Sequence, residues 1–260
     1  EGKTTLVVSP VHAEGDRITR NIRRALMDAG MLGREEQEVL KLQNAQLTEA
    51  ERGDALHFLP GDVVQFHQNA KGYRRGQKVG VGLNKPLPLE HAQRFQVFHQ
   101  ERILLAAGDL VRITHNGQTA DGLHRLDNGM VFQVRGFDET GDIVLMNGWR
   151  IAKDWGHLDY GYVVTSHASQ GKTVDRVFIG QSAASLPATS REQFYVSASR
   201  ARERMTVYTD DKDALREAVG KGDARLSATE LVNGAVRRQT EAEREPIHSR
   251  DEMQVLQYER

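Results

Sequence analysis

Two short stretches of the sequence carry residue types that bind phosphate groups. Ser169-Gln170-Gly171-Lys172-Thr173 follows a β-type apolar run, and Arg200 stands in a Ser-Arg-Ala setting near the end of a predicted helix. Glycine lets backbone N–H groups approach a phosphate closely. A guanidinium presents a forked and permanently charged set of donors. Because an open α/β sheet binds phosphates at its strand ends, the two stretches predict a phosphate-binding site.

Two Gly-Lys-Thr triplets, at residues 2–4 and 171–173, lack the rest of a P-loop pattern. The pattern G-x-x-x-x-G-K-[ST] requires a glycine at position 166, which is Ser166, and Gly2 leaves no room for one upstream. A strand is predicted after each triplet, whereas a P-loop is followed by a helix. The sequence also lacks an acidic pair at the end of an apolar strand. We therefore expect the P-loop and the Mg²⁺ carboxylates elsewhere, and only the opposite half of a nucleotide site here.

Residues 160–180 read YGYVVTSHASQGKTVDRVFIG, and residues 191–209 read REQFYVSASRARERMTVYT. These stretches resemble motifs V and VI of superfamily 1 helicases, in the sub-branch that contains RecD and the MobF-type conjugative relaxase-helicases (TraI and TrwC). The segments HASQGKTVD and YVSASRAR are closest to the relaxase-helicases. Residues 9–17, SPVHAEGDR, resemble motif IV more weakly. The resemblance implies a bacterial plasmid-transfer enzyme that couples hydrolysis of ATP, with Mg²⁺, to translocation on single-stranded DNA.

The resemblance also implies roles for single residues. Arg200 matches the arginine finger, the catalytic residue that neutralises charge on the γ-phosphate; the alternative is a surface ion pair with Glu203. The implied nucleotide contacts are Gln170, Gly171 and Lys172, and the implied DNA contacts are Thr165, Ser166 and His167. For His167 the alternative is a purely structural histidine.

Composition fits a water-soluble globular protein with one large domain or two small ones. The 260 residues include 35 Lys and Arg against 36 Asp and Glu, but residues 161–209 hold six basic against three acidic side chains. Cysteine is absent and the ten histidines lack metal-ligand spacing, so no structural metal is expected. No run approaches the roughly 20 apolar residues of a membrane helix, and no signal peptide is apparent, so a cytoplasmic protein is expected. A first residue other than Met suggests an excised piece of a longer polypeptide.

Strand and helix patterns alternate in two separated regions, which predicts an α/β fold with a parallel sheet. Residues 1–56 and 157–220 are expected to form one domain, which the resemblance identifies as the second RecA-like motor domain. Residues 57–156 predict an inserted small antiparallel β-barrel, of Src-homology-3 type by resemblance. Within the insert, residues 89–106 predict a helix. Residues 221–260 predict a helical or flexible extension.

Basic and aromatic residues alternate in the insert between residues 66 and 78. Aromatic stacking combined with phosphate neutralisation holds single strands without sequence preference. We therefore predict that Tyr73, Arg74 and Arg75 contact single-stranded DNA. The alternative is an ordinary hairpin with a solvated, charged tip.

Two other functions fit the same sequence. The chain could be a non-catalytic module that binds single-stranded DNA or is recruited by the coupling protein of a type IV secretion system, or it could be half of a RecD-like repair helicase. In the preferred hypothesis its partners are single-stranded DNA and an upstream motor domain of the same polypeptide. The 260 residues alone are then expected to bind DNA weakly and not to hydrolyse ATP.

Overall fold

The chain divides into two compact units. The computed structural model describes residues 2–82, 86–220 and 254–259. The first unit combines Glu1–Ile22 with Tyr162–Arg260, and the second comprises Arg23–Gly161. One unit is thus inserted into the sequence of the other.

The described residues form four α-helices and sixteen β-strands, labelled here in chain order. The helices are α1 (His12–Asp28), α2 (Glu49–Arg52), α3 (Arg191–Ala198) and α4 (Lys212–Gly220). The strands are β1 (Thr5–Val8), β2 (Glu36–Asn44), β3 (Val63–Phe66), β4 (Lys78–Gly80), β5 (Phe95–Ala106), β6 (Leu110–Ile113), β7 (Gly117–Gln118), β8 (Arg125–Leu126), β9 (Val131–Phe137), β10 (Ile143–Leu145), β11 (Arg150–Ile151), β12 (Leu158–Tyr160), β13 (Val163–Val164), β14 (Val174–Gly180), β15 (Ala201–Thr209) and β16 (Gln254–Glu259). Short 3₁₀ helices span Ala55–His57, Leu89–Arg94, His167–Ser169 and Ala183–Ala188. Across these described ranges, no helix is both long and apolar enough to cross a membrane.

A five-stranded sheet forms the centre of the first unit, in the order β13-β1-β14-β15-β16. The first four strands run parallel to one another. Val8, Val177 and Val207 are buried in its core together with Leu215 of α4. β-Branched side chains favour such buried, pleated surfaces, and helices between parallel strands are typical of α/β folds. The predicted α/β class with a parallel sheet is confirmed.

The last described strand corrects part of the prediction for residues 221–260. β16 is antiparallel to β15 and pairs with it from Gln254 to Glu259, so these residues are neither helical nor irregular. The pairing satisfies the outer edge of β15, which would otherwise present unpaired backbone groups. Residues 221–253 and 260 lie outside the described residues.

Antiparallel sheets make up most of the second unit. One has the order β11-β10-β9-β6-β12, another the order β2-β5-β3-β4, and β7 pairs with β8. Ten buried side chains, including Ile113, Ile143 and Leu158, form the largest cluster of its core. The antiparallel character agrees with the prediction, but a single small barrel of Src-homology-3 type is not confirmed.

The helix predicted for residues 89–106 is wrong over most of its length. Residues 95–106 form the twelve-residue strand β5, preceded by the 3₁₀ helix Leu89–Arg94. β5 pairs with β3 through Phe95–Phe98 and with β2 through Phe98–Ala106. The second pairing also explains why the second unit begins before residue 57: β2 needs β5 as its partner.

Candidate functional site

Arg200 lies between the end of α3 and the start of β15, where its side chain is held by three acceptors. Nε donates to the carbonyl of Val196 at 2.9 Å, and Nη2 donates to Ser199 Oγ at 2.8 Å. Nη1 donates to the carbonyl of Lys172 at 3.4 Å. A cation at a helix C-terminus interacts favourably with the last carbonyls of the helix. The guanidinium is therefore fixed on α3 while it reaches the loop that contains Lys172.

The loop between β13 and β14 is a tight turn rather than an open strand connection. The N–H of Ser169 donates to the carbonyl of Thr165 at 3.0 Å, and the N–H of Lys172 donates to the carbonyl of Ser169 at 3.1 Å. Gly171 has φ of +77°, a left-handed conformation in which a side chain would be strained. The N–H of Val174 donates to the carbonyl of Arg200 at 3.0 Å. The structure thus brings the predicted residues 170–172 together with Arg200 through backbone and side chain.

A cleft of about 470 Å³ opens between this loop and α3. His167 and Gln170 are exposed on the loop side. The opposite side is formed by the start of α3, where the Ser190 hydroxyl caps the helix by accepting from the N–H of Gln193 at 3.2 Å. The lining includes the carboxylate of Glu192 and the apolar Pro187 and Val196, and otherwise consists of imidazole, amide and hydroxyl groups. Such groups hold sugar and phosphate oxygens, or base edges, of a nucleic acid.

The other two predicted DNA contacts have local bonding roles. Ser166 is only 4% exposed, and its carbonyl accepts from Ser169 Oγ at 2.6 Å. Thr165 Oγ1 accepts from the N–H of Ala168 at 3.3 Å, which stabilises the turn. His167 and Gln170 are exposed and line the cleft, and Gly171 and Thr173 are the other exposed residues of the loop.

Thr4 and Asp175 join the starts of β1 and β14 through a set of bonds that the sequence analysis missed. The Asp175 carboxylate accepts from the N–H and the hydroxyl of Thr4, both at 2.8 Å, and the Asp175 N–H donates to Thr4 Oγ1 at 3.0 Å. These bonds lower the pKa of the Asp175 carboxyl group, and Lys3 and Arg202 contribute to the same shift. Asp175 lies three residues after Lys172, so the network fixes where the loop meets the sheet. The TVD segment contained the signal, since an aspartate beginning a buried strand needs a donor.

Glu14 is a second residue that sequence reasoning missed. Its side chain is buried, Oε1 accepts from the N–H of Ser182 at 2.8 Å, and Oε2 accepts from Ser9 Oγ at 3.2 Å. It therefore ties the segment after β14 to the first turn of α1. Its position as an acidic residue in that first turn was the available signal.

Tyr73 packs inside the second unit instead of presenting its ring for stacking on bases. It is 4% exposed, its ring stacks on Phe66 with centroids 4.4 Å apart, and its hydroxyl donates to the carbonyl of Pro86 at 3.1 Å. Arg74 and Arg75 are exposed. The geometry thus replaces the stacking role predicted for Tyr73 with a packing role and leaves the two arginines as surface cations.

Glu203 does not provide the ion pair considered for Arg200. Its carboxylate contacts Lys3 Nζ. Arg202, two residues from Arg200, has its guanidinium 3.7 Å from Asp175 Oδ1. The basic residues around Arg200 therefore have their own acidic neighbours, and Arg200 itself is bound by carbonyl and hydroxyl oxygens.

This part of the chain is similar to a helicase family. Residues 160–208 match the model of the UvrD-like helicase C-terminal domain. The matched residues include Arg200, the loop and the exposed His167. A comparison with curated proteins gave no match.

Solved structures of Pif1 helicases are distant neighbours of the whole chain. The Pif1 helicase from Bacteroides in complex with ADP-AlF3 and ssDNA is 15% identical, with a TM-score of 0.41 over 92% of this chain and 46% of that one. The Pif1 helicase from Candida albicans is 15% identical, with a TM-score of 0.38 over 93% and 50%. The chain thus spans about half the length of the helicases it matches.

Proposed function

We propose that the chain forms one side of an interdomain ATP cleft in a superfamily 1 DNA helicase. It contributes Arg200 as the arginine finger, Gly171 and Lys172 as nucleotide contacts, and His167 as a contact to single-stranded DNA. Gln170, predicted as a nucleotide contact, lines the same cleft as His167 and is assigned here to the DNA instead. The P-loop and the Mg²⁺ ligands belong to another domain, which binds ATP and its metal. The family match over residues 160–208 supports the helicase class.

The observation that carries the proposal is that the Arg200 guanidinium is fixed in place and still has unused donors. A guanidinium has five N–H donors. Three of them donate to Val196, Lys172 and Ser199, so two remain for a ligand. A fixed cation with two unused donors beside a glycine-containing loop suits the γ-phosphate, on which charge must be stabilised during transfer.

The finer assignment is to a conjugative relaxase-helicase of bacteria. Its support is the wording of the two motifs, HASQGKTVD and YVSASRAR. In this proposal the same polypeptide carries the nicking activity and the first motor domain, and plasmid transfer is its biological role.

Binding of single-stranded DNA by the 260-residue chain tests the proposed site. We expect H167A/Q170A to weaken binding of a fluorescent thirty-nucleotide oligothymidylate about 30-fold, because two hydrogen bonds of roughly 1 kcal/mol each are lost. H57A/Q118A, which removes the same two residue types from exposed positions of the second unit, should bind like the wild type. Unchanged binding by H167A/Q170A would remove the DNA assignment. ATP turnover by the chain alone would contradict the half-site.

A further inference from the structure

We propose that the hairpin between β3 and β4 is a preorganised phosphate-binding tip that holds a nucleic-acid backbone without contacting bases. The β3–β4 tip is defined here as residues 67–77. The proposal extends the proposed function, because it names a second DNA contact on the inserted unit and the chemistry by which that contact acts.

The charged side chains in the tip and around it in the sequence are all positive. Between Asp62 and Glu90 the sequence has five Lys or Arg and no acidic residue. Three of the five, Lys71, Arg74 and Arg75, are exposed on the tip. In the part of the chain that the structure describes, none of the three forms an ion pair. A cluster of exposed cations without acidic neighbours attracts polyanions and releases their counterions on binding.

The backbone of the tip is held by hydrogen bonds at Arg74 and Arg75, two of the three positions that present a cation. The N–H of Arg75 donates to Asn69 Oδ1 at 2.9 Å, and the N–H of Arg74 donates to Gln77 Oε1 at 3.1 Å. The carbonyl of Asn69 accepts from Arg94 Nη1 at 2.8 Å. The main chain is thus fixed in advance, so the ordering cost of binding falls only on the long side chains.

Tyr73 connects the tip to the core and at the same time excludes base stacking. Its ring lies against Phe66 at an angle of 9°, and Ala70 and Tyr73 exchange backbone hydrogen bonds of 3.1 and 2.9 Å across the turn. Burial also raises the pKa of the Tyr73 hydroxyl. With this ring inside the protein, the tip offers cations, polar groups and the exposed imidazole of His67 rather than a large aromatic face. Its contribution should therefore depend on phosphate charge and not on bases.

The same composition disfavours an anionic membrane as the partner. Peripheral membrane sites combine cations with exposed apolar side chains that enter the headgroup region. On the tip the large apolar side chain is Tyr73, which is buried. A nucleic acid needs no apolar insertion, so it is the partner that the surface fits.

The test compares K71Q/R74Q/R75Q with a matched triple variant, R24Q/R34Q/R102Q, which removes three exposed arginines of the same unit. Binding of the thirty-nucleotide oligothymidylate is measured between 50 and 200 mM NaCl. Each phosphate contact contributes about 0.7 to the salt slope for single strands, so the tip variant should lose about 2 units of slope. The wild type then loses about 20-fold more affinity over this range than the tip variant does. The matched variant should keep most of the wild-type slope.

A second measurement uses an abasic strand of the same length. The ratio of wild-type to tip-variant affinity should be the same on both strands within about twofold, because the bases make no contact with the tip. Three results would overturn the proposal. The ratio could fall to about 1 on the abasic strand, the tip variant could keep the wild-type salt slope, or the tip could matter only for binding to phosphatidylserine vesicles. If the tip variant binds normally while H167A/Q170A is impaired, the tip proposal fails and the proposed function stands. If H167A/Q170A binds normally while the tip variant is impaired, the DNA contacts of the proposed function fail and the tip proposal stands.

Discussion

His157 should make the inserted unit sensitive to mild acid. The ring is 1% exposed and is surrounded by the rings of Phe98 at 5.0 Å, His115 at 4.8 Å and Trp155 at 5.5 Å. Nε2 contacts Gln65 Oε1. Burial lowers the pKa of His157 to about 3, and the nearby charges of Lys78 and His115 add to the shift. A proton on this ring is therefore strongly disfavoured in the folded state.

The direction of the pH dependence follows from the two protonation states. An unfolded histidine has a pKa of about 6.5. As pH falls below that value, the unfolded chain takes up a proton that the folded chain does not accept until about pH 3, so folding stability decreases. At about 1.4 kcal/mol per pH unit in the steep range, His157 alone lowers the free energy of unfolding by about 2 kcal/mol between pH 7 and pH 5. The lowered pKa of His115 acts in the same direction.

Urea unfolding followed by tryptophan fluorescence measures this effect. The chain has two tryptophans, Trp149 and Trp155, and both lie in the second unit, so the signal reports on that unit. With an m-value of about 2 kcal/mol per molar, the midpoint should fall by about 1 M from pH 7 to pH 5. H157Q should lose most of this shift, whereas H57Q, at an exposed position, should retain it. A midpoint that does not change with pH, or that changes equally in H157Q, would refute the argument.

Two further predictions concern arginines. In a longer polypeptide that carries both motor domains, R200A should lower kcat for ATP hydrolysis about 10³-fold or more and leave nucleotide binding nearly intact. Retained turnover would remove the finger assignment. R23A should destabilise the second unit by about 3–5 kcal/mol, because the buried carboxylate of Asp109 loses its bidentate partner at 2.8 and 2.9 Å. R24A, at an exposed position of the same helix, is its control in the same fluorescence assay.

Local patterns predicted the elements of the first unit well. The strands β1 and β14 follow the two Gly-Lys-Thr triplets and the helix α3 precedes Arg200, as the local sequence patterns indicated. β5 could not be predicted in the same way. Phe95 and Phe98 are spaced as on a helix face, and only pairing with two strands distant in sequence makes residues 95–106 extended. Non-local pairing outweighs local propensity there.

The candidate site also has features that the sequence predicted and features that it could not predict. Proximity of Arg200 to the 170–172 loop followed from motif order, because both segments precede neighbouring parallel strands. The acceptors that hold the guanidinium did not follow, since backbone carbonyls are present at every residue and leave no trace in the sequence. The burial of Tyr73 could not be predicted for a similar reason. The sequence around an aromatic residue among cations is the same whether its ring faces the core or the solvent.

Arginines appear in this chain in two states that suit two kinds of phosphate. Arg200 is bound by Val196, Ser199 and Lys172, so its orientation is set before any ligand arrives. Fixed orientation is what transition-state stabilisation requires, because a donor that must first reorganise contributes less. Arg74 and Arg75 have fixed backbones and exposed side chains, which can follow a backbone that moves past them. In our proposal the chain therefore uses a rigid arginine for the one phosphate that reacts and mobile arginines for the many that are only held. Replacing Arg200 by lysine tests this distinction, since lysine keeps the charge but cannot hold three acceptors and a phosphate at once.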